Sequence, residues 1–186
     1  MKRRTLAAAT AALLMTSALG MSACSSELVA QSGSSSAQSA ANLDHERISS
    51  VLETVGGVMA TADASLNAAD LGDQVTKGAL EMRTAQYALA NANSQALPPL
   101  DFEPTSLAIT NSDSWPRAIF NISDTSSTTL PVLEVYVQDS ARSDYKLTNY
   151  ARLLGGTHLT LPSVGTGSAY VTGDSQGFTV TPDTAL

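Results

Sequence analysis

The chain has a single cysteine, Cys24, among its 186 residues. One cysteine cannot form an internal disulfide, so the fold is not cross-linked within the chain. Histidine is nearly as rare, with two residues in the chain. These two histidines do not form a His-x-x-x-His pair. A zinc site would have only scattered carboxylates as ligands, and we therefore expect no metal and no other cofactor.

Basic residues are scarce beyond the first four positions. Lys2, Arg3 and Arg4 are three of the ten Lys and Arg residues, whereas all 17 Asp and Glu residues lie at Glu27 or later. Nucleic acids and anionic lipid headgroups are bound by clustered Lys and Arg. The acidic remainder therefore argues against nucleic acid as a partner.

Common catalytic motifs are missing as well. The Gly-x-Ser-x-Gly motif of hydrolases does not occur, and Gly165-Thr166-Gly167-Ser168 lacks the third glycine and the lysine of a phosphate loop. Asp101 and Glu103 are compatible with a paired acid and base, but solvated loop carboxylates are the ordinary case. Asp70 and Asp73 could attract Ca²⁺, but they lack the spacing of a calcium loop. The two histidines, His45 near a helix start and His158 in a glycine-rich loop, are poorly placed for catalysis. We predict no catalytic residues.

The N-terminus, in contrast, has the pattern of an export signal. Residues 1–4 are cationic, and residues 5–19 carry no charge and are rich in Leu and Ala. Gly20-Met21-Ser22-Ala23-Cys24 follows. This segment resembles the lipobox of bacterial lipoproteins, with Met21 at a position where that family usually has Leu. The resemblance implies that residues 1–23 are a lipoprotein signal peptide and that a diacylglycerol thioether forms on Cys24.

Two other fates of the N-terminus remain open. Ordinary secretory cleavage after Ala23 would release a free protein, although Met21 is large for the third position before that cut. Residues 5–23 would nearly span a bilayer if they stayed uncleaved. We expect lipidation at Cys24, so that a covalent lipid anchors the protein on the extracytoplasmic face of the cell membrane. Residues 24–42, mostly Ser, Ala, Gln and Gly, are then a flexible tether.

Residues 43–186 have the pattern of one folded domain that begins with helices. Apolar residues recur every three or four positions in a first helix from about Asp44, which Asn42 or Asp44 itself caps: Ile48, Val51, Leu52, Val55, Met59, Ala62 and Leu66. Gly56-Gly57 inside this stripe marks either a kink or a close approach of another element. A second helix is predicted over residues 77–93. Its main apolar face consists of Met82, Ala85, Leu89 and Ala92, with Leu80, Thr84 and Tyr87 beside it.

Short β-type runs separated by turn residues follow. They cover residues 106–110, 116–123, 131–138 and 145–153, and residues 178–180 offer one more strand. In the third run Leu133, Val135 and Val137 alternate with polar or amphipathic residues and are predicted to face the core. Helices followed by hairpin strands predict an α+β domain with helices packed on a curved antiparallel sheet.

This order resembles the cone-shaped fold of nuclear transport factor 2. Trp115-Pro116-Arg117-Ala118-Ile119-Phe120 and Asp144-Tyr145-Lys146-Leu147-Thr148 are similar to segments of uncharacterised lipoproteins from high-GC Gram-positive bacteria, in which Trp often stands at the position of Tyr145. The resemblance covers about residues 43–180 and implies a cone-like domain. It implies no particular activity.

Trp115 and Arg117 flank Pro116 at the start of a predicted strand. They are candidates for the rim of a ligand pocket or a partner-binding site. The alternative is that Trp115 covers the edge of the core and Arg117 pairs with an acidic neighbour.

Two functions are compatible with these features. The leading hypothesis is a non-catalytic envelope lipoprotein that binds a protein partner, for instance in the envelope, or a small apolar ligand. The alternative is a small cone-fold enzyme of hydrolase or isomerase type, for which the strands offer mainly Tyr136, Tyr145 and Tyr150. A polar pocket with a buried carboxylate would favour the enzyme, and a filled interior would favour the binding protein.

The last six residues have the pattern of a helix start. Thr181 suits the N-cap, Pro182 the first helical position and Asp183 the first turn. One turn does not sustain a helix, so we expect the natural chain to continue beyond Leu186. The alternative is a chance turn at the end of the domain.

Overall fold

The computed structural model describes residues 41–123, 130–157, 159–171, 173 and 179–185. The predicted signal peptide, Cys24 and the tether up to residue 40 lie outside these residues. The described elements are α1 (His45–Ser65), α2 (Lys77–Asn93), β1 (Ser106–Ile109), β2 (Arg117–Ser123), β3 (Val132–Gln138), β4 (Lys146–Arg152) and the single turn α3 (Pro182–Ala185). A 3-10 helix, Ala68–Leu71, lies between α1 and α2. The predicted α+β class is confirmed.

Helix α1 begins and ends at well-defined caps. The Asp44 side chain accepts a hydrogen bond of 2.8 Å from the backbone N–H of Arg47, which satisfies one of the free donors of the first turn. Leu66 ends the helix in the left-handed conformation with φ of 50°. The predicted stripe faces the core, with five of its members buried: Ile48, Leu52, Val55, Met59 and Ala62.

The glycine pair in α1 marks a close approach. A Cβ atom on Gly56 would lie 3.1 Å from the Cβ of Phe102, whereas a Cβ on Gly57 would meet nothing within 4 Å. Phe102 therefore packs on the helix backbone where Gly56 leaves room. Of the two explanations predicted for the pair, the structure shows the second.

Helix α2 has the predicted bounds, but the main apolar face predicted from the sequence is not the face that it buries. Met82 and Leu89 are 43% and 53% exposed. The helix instead buries Ala79, Arg83, Tyr87 and Ala90. The helical period is correct and its phase is not, because the core-facing side includes an arginine that pairs with a carboxylate of α1.

The four strands form one antiparallel sheet in the order β1-β2-β3-β4. Ile119 of β2 pairs with Tyr136 of β3, and Tyr136 pairs with Leu147 of β4. The possible fifth strand is not formed by the residues that the structure describes, since Thr179 and Val180 lie in a bend. Phe178 lies outside the described residues.

The two faces of β3 are the reverse of the prediction. Val132, Glu134 and Tyr136 are buried, while Leu133, Val135 and Val137 are only half-buried. We call the side with Ile119, Glu134 and Tyr136 the inner face, because it shares a core with α1 and α2. The outer face is the opposite side, with Ala118, Phe120 and Ile122 of β2 and Leu133, Val135 and Val137 of β3. The error arose because the outer residues of β3 are more apolar than the inner ones.

Candidate functional site

The predicted lipid-attachment residue, Cys24, lies outside the described residues, as does His158. His45 is exposed at the first position of α1. Its ring nitrogen Nδ1 lies 3.4 Å from the Ser49 hydroxyl of the next turn. Asp70 accepts a hydrogen bond of 2.6 Å from the Ser65 hydroxyl. Neither contact sets up catalytic chemistry.

Trp115 and Arg117 lie together at the start of β2. The Arg117 guanidinium carbon stands 4.3 Å from the centre of the Trp115 ring, a cation–π contact. Trp115 is 38% exposed, and its indole N–H donates to Gln138 of β3 at 3.4 Å. Arg117 thus stacks on Trp115, and within the described ranges the two ion pairs are Arg47–Asp44 and Arg83–Asp63. The acidic partner considered for Arg117 is not found there.

An open groove of about 340 Å³ lies between α1 and the β3–β4 hairpin, near this pair. Its walls include Arg47, Gln138, Asp144 and Tyr145. The Tyr145 hydroxyl is buried and has no hydrogen-bond partner among the described residues. Burial raises the pKa of Tyr145, and the positive charge of Arg117 offsets part of that rise. The groove is mixed in charge and favours no single ligand class.

A second groove, of about 300 Å³, lies on the outer face of the sheet. Most of its walls are apolar, and its lining includes Phe120, Val135, Val137, Tyr170 and Val171. Ser168 fixes the segment that carries Tyr170 and Val171, because its backbone N–H donates to the Ile109 carbonyl at 2.7 Å. The C-terminal segment therefore forms one wall and the sheet forms the floor. We call this site the outer groove.

A carboxylate lies in the interior, which the sequence did not predict. Glu134 is 0% exposed. Its Oε2 atom accepts hydrogen bonds from Asn121 at 3.0 Å and from the Tyr136 hydroxyl at 2.8 Å, while its Oε1 atom has no partner among the described residues. Burial raises the pKa of Glu134 to about 7, with a further rise from Asp101 that the two hydrogen bonds oppose. The inner face thus holds a carboxyl group poised to exchange a proton near neutral pH.

Further polar groups continue across the same face. Tyr150 of β4 is the register partner of Glu134, and its hydroxyl donates to Gln86 of α2 at 3.1 Å. Arg83, 1% exposed, hydrogen bonds to Asp63 and to Gln86. Burial alone would lower the pKa of Arg83, but its hydrogen bond and charge interaction with Asp63 raise it above the usual value. This network fixes α2 against α1.

Sequence reasoning missed Glu134 and Asn121. It offered the three strand tyrosines as candidate pocket groups, although the alternation predicted for β3 placed Tyr136 on the face away from the core. Tyr136, Tyr145 and Tyr150 are all buried. A signal for Glu134 existed, since it is the only charged residue in the run Val132–Gln138. Glutamate within a strand is disfavoured unless it is exposed or paired. The alternation of Leu and Val around it masked that signal.

Within the part of the chain that the structure describes, no group of three or more His, Cys, Asp and Glu side chains has the arrangement of a metal site. None of the described helices combines the length and apolar character needed to cross a membrane. Comparisons with known proteins do not add a family: no family model, curated protein or solved structure matches the chain.

Proposed function

We propose that this protein is a non-catalytic envelope lipoprotein, anchored through Cys24 on the extracytoplasmic face of the cell membrane, that binds a small apolar ligand in its outer groove. The lipobox-like segment supports the proposed location on the membrane. The outer groove supports the ligand, and it is the observation on which the binding function depends.

The outer face of the sheet is unusual for a surface exposed to water. A sheet with one solvated face normally alternates apolar and polar residues. Here the six outer residues of β2 and β3 are all apolar, and Phe120 is 37% exposed at the edge of the groove. Tyr170 and Val171 on the facing wall are 47% and 51% exposed. Apolar surface left uncovered on both walls is typical of a binding site.

The shape of the outer groove favours a small molecule over a protein. Its volume of about 300 Å³ is at the lower end of the range for ligand pockets. Protein partners are more often bound on larger, flatter surfaces. Because none of the described side chains that line the groove is charged, a neutral molecule such as a single alkyl chain suits it. The proposed cone-like curvature of the sheet would place this groove on the outside of the cone.

Photo-crosslinking tests the proposal on the full chain in its membrane. The probe is a decanol that carries an alkyl diazirine, and the adducts are mapped by mass spectrometry. We expect adducts on the peptides that carry Phe120 and Tyr170, and we expect excess decanol to compete them away. Phe120→Glu should abolish these adducts, because a carboxylate in the groove would lose its hydration when the alkyl chain binds.

Leu89→Glu is the matched control. Leu89 is also an exposed apolar residue, on α2, and its replacement should leave the adducts unchanged. Adducts that resist competition, or that persist in Phe120→Glu, would refute the apolar-ligand function.

A second candidate function has one specific observation in its favour. A small cone-fold enzyme of hydrolase or isomerase type needs an acid or base with a pKa near the working pH. Glu134 has such a pKa, and Asn121 and Tyr136 donate hydrogen bonds to it. This candidate ranks second because Glu134 has no exposed surface and lines none of the grooves described above.

Hydrolysis of p-nitrophenyl butyrate tests the second candidate for the hydrolase type. The enzyme hypothesis predicts turnover by the full chain that falls at least about a hundredfold in Glu134→Gln, the usual scale for loss of a general acid or base. Turnover that is unchanged in Glu134→Gln would remove Glu134 from this reaction.

A further inference from the structure

Residues 95–105 connect α2 to β1 without regular secondary structure, and we call them the strap. Every strap residue is exposed or half-buried. Leu97, Leu100 and Phe102 pack partly against the core. The strap therefore covers part of the domain without being part of its fully buried interior.

The hydrogen bonds that hold the strap all involve side chains of the domain. Arg83 donates to the Pro98 carbonyl at 3.0 Å and Arg152 to the Pro99 carbonyl at 2.6 Å. Asn121 donates to the Glu103 carbonyl at 3.1 Å. No backbone–backbone hydrogen bond joins these described residues to the sheet or the helices. Segments with few buried contacts and few backbone bonds open at low free-energy cost.

The polar interior lies directly beneath the strap. Asn121 contacts the Glu103 carbonyl and the Glu134 carboxylate with the same amide nitrogen. A groove of about 450 Å³ borders the strap at Phe102 and Glu103, and a groove of about 400 Å³ borders it at Leu100 and Tyr150. Asn121, Glu134 and Tyr150 are register partners in one row across the sheet. One end of this row reaches the larger groove, where Asn121 bonds to Glu103, and the other end, Tyr150, lines the smaller groove.

We propose that the strap is a movable cover over a binding site for a small organic amine, whose ammonium group is received by Glu134. The Oε1 atom of Glu134 is a fully buried acceptor to which none of the described residues donates. An ammonium N–H supplies that donor together with a compensating charge. This site requires the same carboxyl group as the second candidate function, but it requires no catalysis and no ligand in the outer groove.

The charges around the strap fit a cation. Glu53 and Glu103 line the larger groove, and Asp101 interacts electrostatically with Glu134. On the other side Arg83 is neutralised by Asp63. Arg152 stands at the edge of the smaller groove and is the one cation there that is not paired with a carboxylate among the described residues. A carboxylate ligand would meet four acidic side chains on the Glu134 side.

Saturation-transfer NMR with n-butylamine on the full chain in detergent tests the site, with n-butanol as the neutral control. We expect saturable binding of butylamine and none of butanol. Glu134→Gln should weaken butylamine binding by at least about tenfold, the scale of a hydrogen bond to a charged group. Glutamine keeps the shape of the side chain, so loss of folding does not explain that result.

A reversible lock tests the strap itself. The Cβ positions of residues 56 and 102 would be 3.1 Å apart, a few tenths of an ångström short of the usual disulfide separation. Gly56→Cys with Phe102→Cys, in a chain with Cys24→Ser, should bind butylamine when reduced and at least about tenfold more weakly when oxidised. The reduced form of the same chain is the matched control.

The outcomes separate the proposals. Absence of butylamine binding to the unmodified chain, or equal binding to Glu134→Gln, overturns the amine site. Equal binding to the oxidised and reduced double-cysteine chain overturns the strap as its cover. Phe120→Glu should leave butylamine binding unchanged, so that failure of the outer groove and failure of this site remain distinguishable.

Discussion

Glu134 is the residue at which this fold departs most from ordinary core composition. Burying a carboxylate costs free energy unless it is paired or hydrogen-bonded on both oxygens. Only Oε2 of Glu134 is bonded among the described residues. The cost is reduced by proton uptake, which is why its pKa rises to about 7. The residue is therefore a source of pH-dependent stability, whatever its function.

The sign of that dependence follows from the raised pKa. Between pH 4.5, the usual value for Glu, and about 7, folded Glu134 retains a proton that the unfolded chain has released. Stability should fall as pH rises through this window, by about 3 kcal/mol in total, and Glu134 should contribute no further loss above it. Glu134→Gln should remove this fall and be the more stable chain at pH 8.

Urea unfolding of both chains at pH 5 and pH 8 measures the effect. Glu53→Gln is the control, since Glu53 is an exposed residue of α1. An unchanged pH slope in Glu134→Gln would mean that Glu134 is ionised at no cost, and hence that it is not buried as described.

At the scale of elements, the two adjacent glycines of α1 offer an internal comparison. Alanine in place of an exposed helical glycine stabilises by about 1 kcal/mol. Gly57→Ala should gain this amount, because its Cβ would meet nothing within 4 Å. Gly56→Ala should gain less or lose stability, because its Cβ would press on Phe102 of the strap at 3.1 Å.

Thermal and urea unfolding of the two single variants decide the comparison, with each serving as the control for the other. Equal gains would show that Phe102 moves aside freely. In that case the strap contributes little to stability in its closed position.

Helix α1 was predictable in bounds and in phase because its apolar residues all fall on one face. Helix α2 was predictable only in bounds. Its buried face includes Arg83, whose partner Asp63 is 20 residues away in the chain, and a periodicity rule counts such a residue as exposed. Met82 and Leu89 lie on the face that the same rule marks as apolar, and both are exposed.

The sheet shows the same limit. Turn residues and β-branched runs predicted the bounds of the four strands. Five of the eight predicted strand ends differ by one residue from those in the structure, and the other three agree. The orientation of β3 did not follow, because Leu133, Val135 and Val137 are apolar and yet outer. Which alternating set is buried depends on the helices that cover the sheet. The strap and the Asn121–Glu134 contact depend on pairing across 13 residues, which a single sequence does not reveal.

At the scale of the whole molecule, the negative charge of the chain bears on how the proposed lipid anchor would hold the domain. The chain beyond its first four residues retains seven basic residues against 17 acidic ones. An anionic membrane surface repels such a domain. Under the proposed function, the lipid on Cys24 keeps the domain near the membrane while this repulsion holds the domain away from the surface.

That arrangement depends on Cys24, and it makes a direct prediction. Cells grown with an alkyne-tagged fatty acid should label the protein, and Cys24→Ser should lose both the label and membrane retention, because the stable anchor requires acyl chains on that residue. Met21→Leu is the control: it moves the lipobox toward the usual pattern and should keep the label.

Mass spectrometry of the labelled protein should find a chain that starts at residue 24. A labelled, membrane-bound Cys24→Ser chain would contradict the lipoprotein assignment. A membrane-bound chain that still contains residues 1–23 would indicate an uncleaved anchor, and an unlabelled chain in the medium would indicate ordinary secretion.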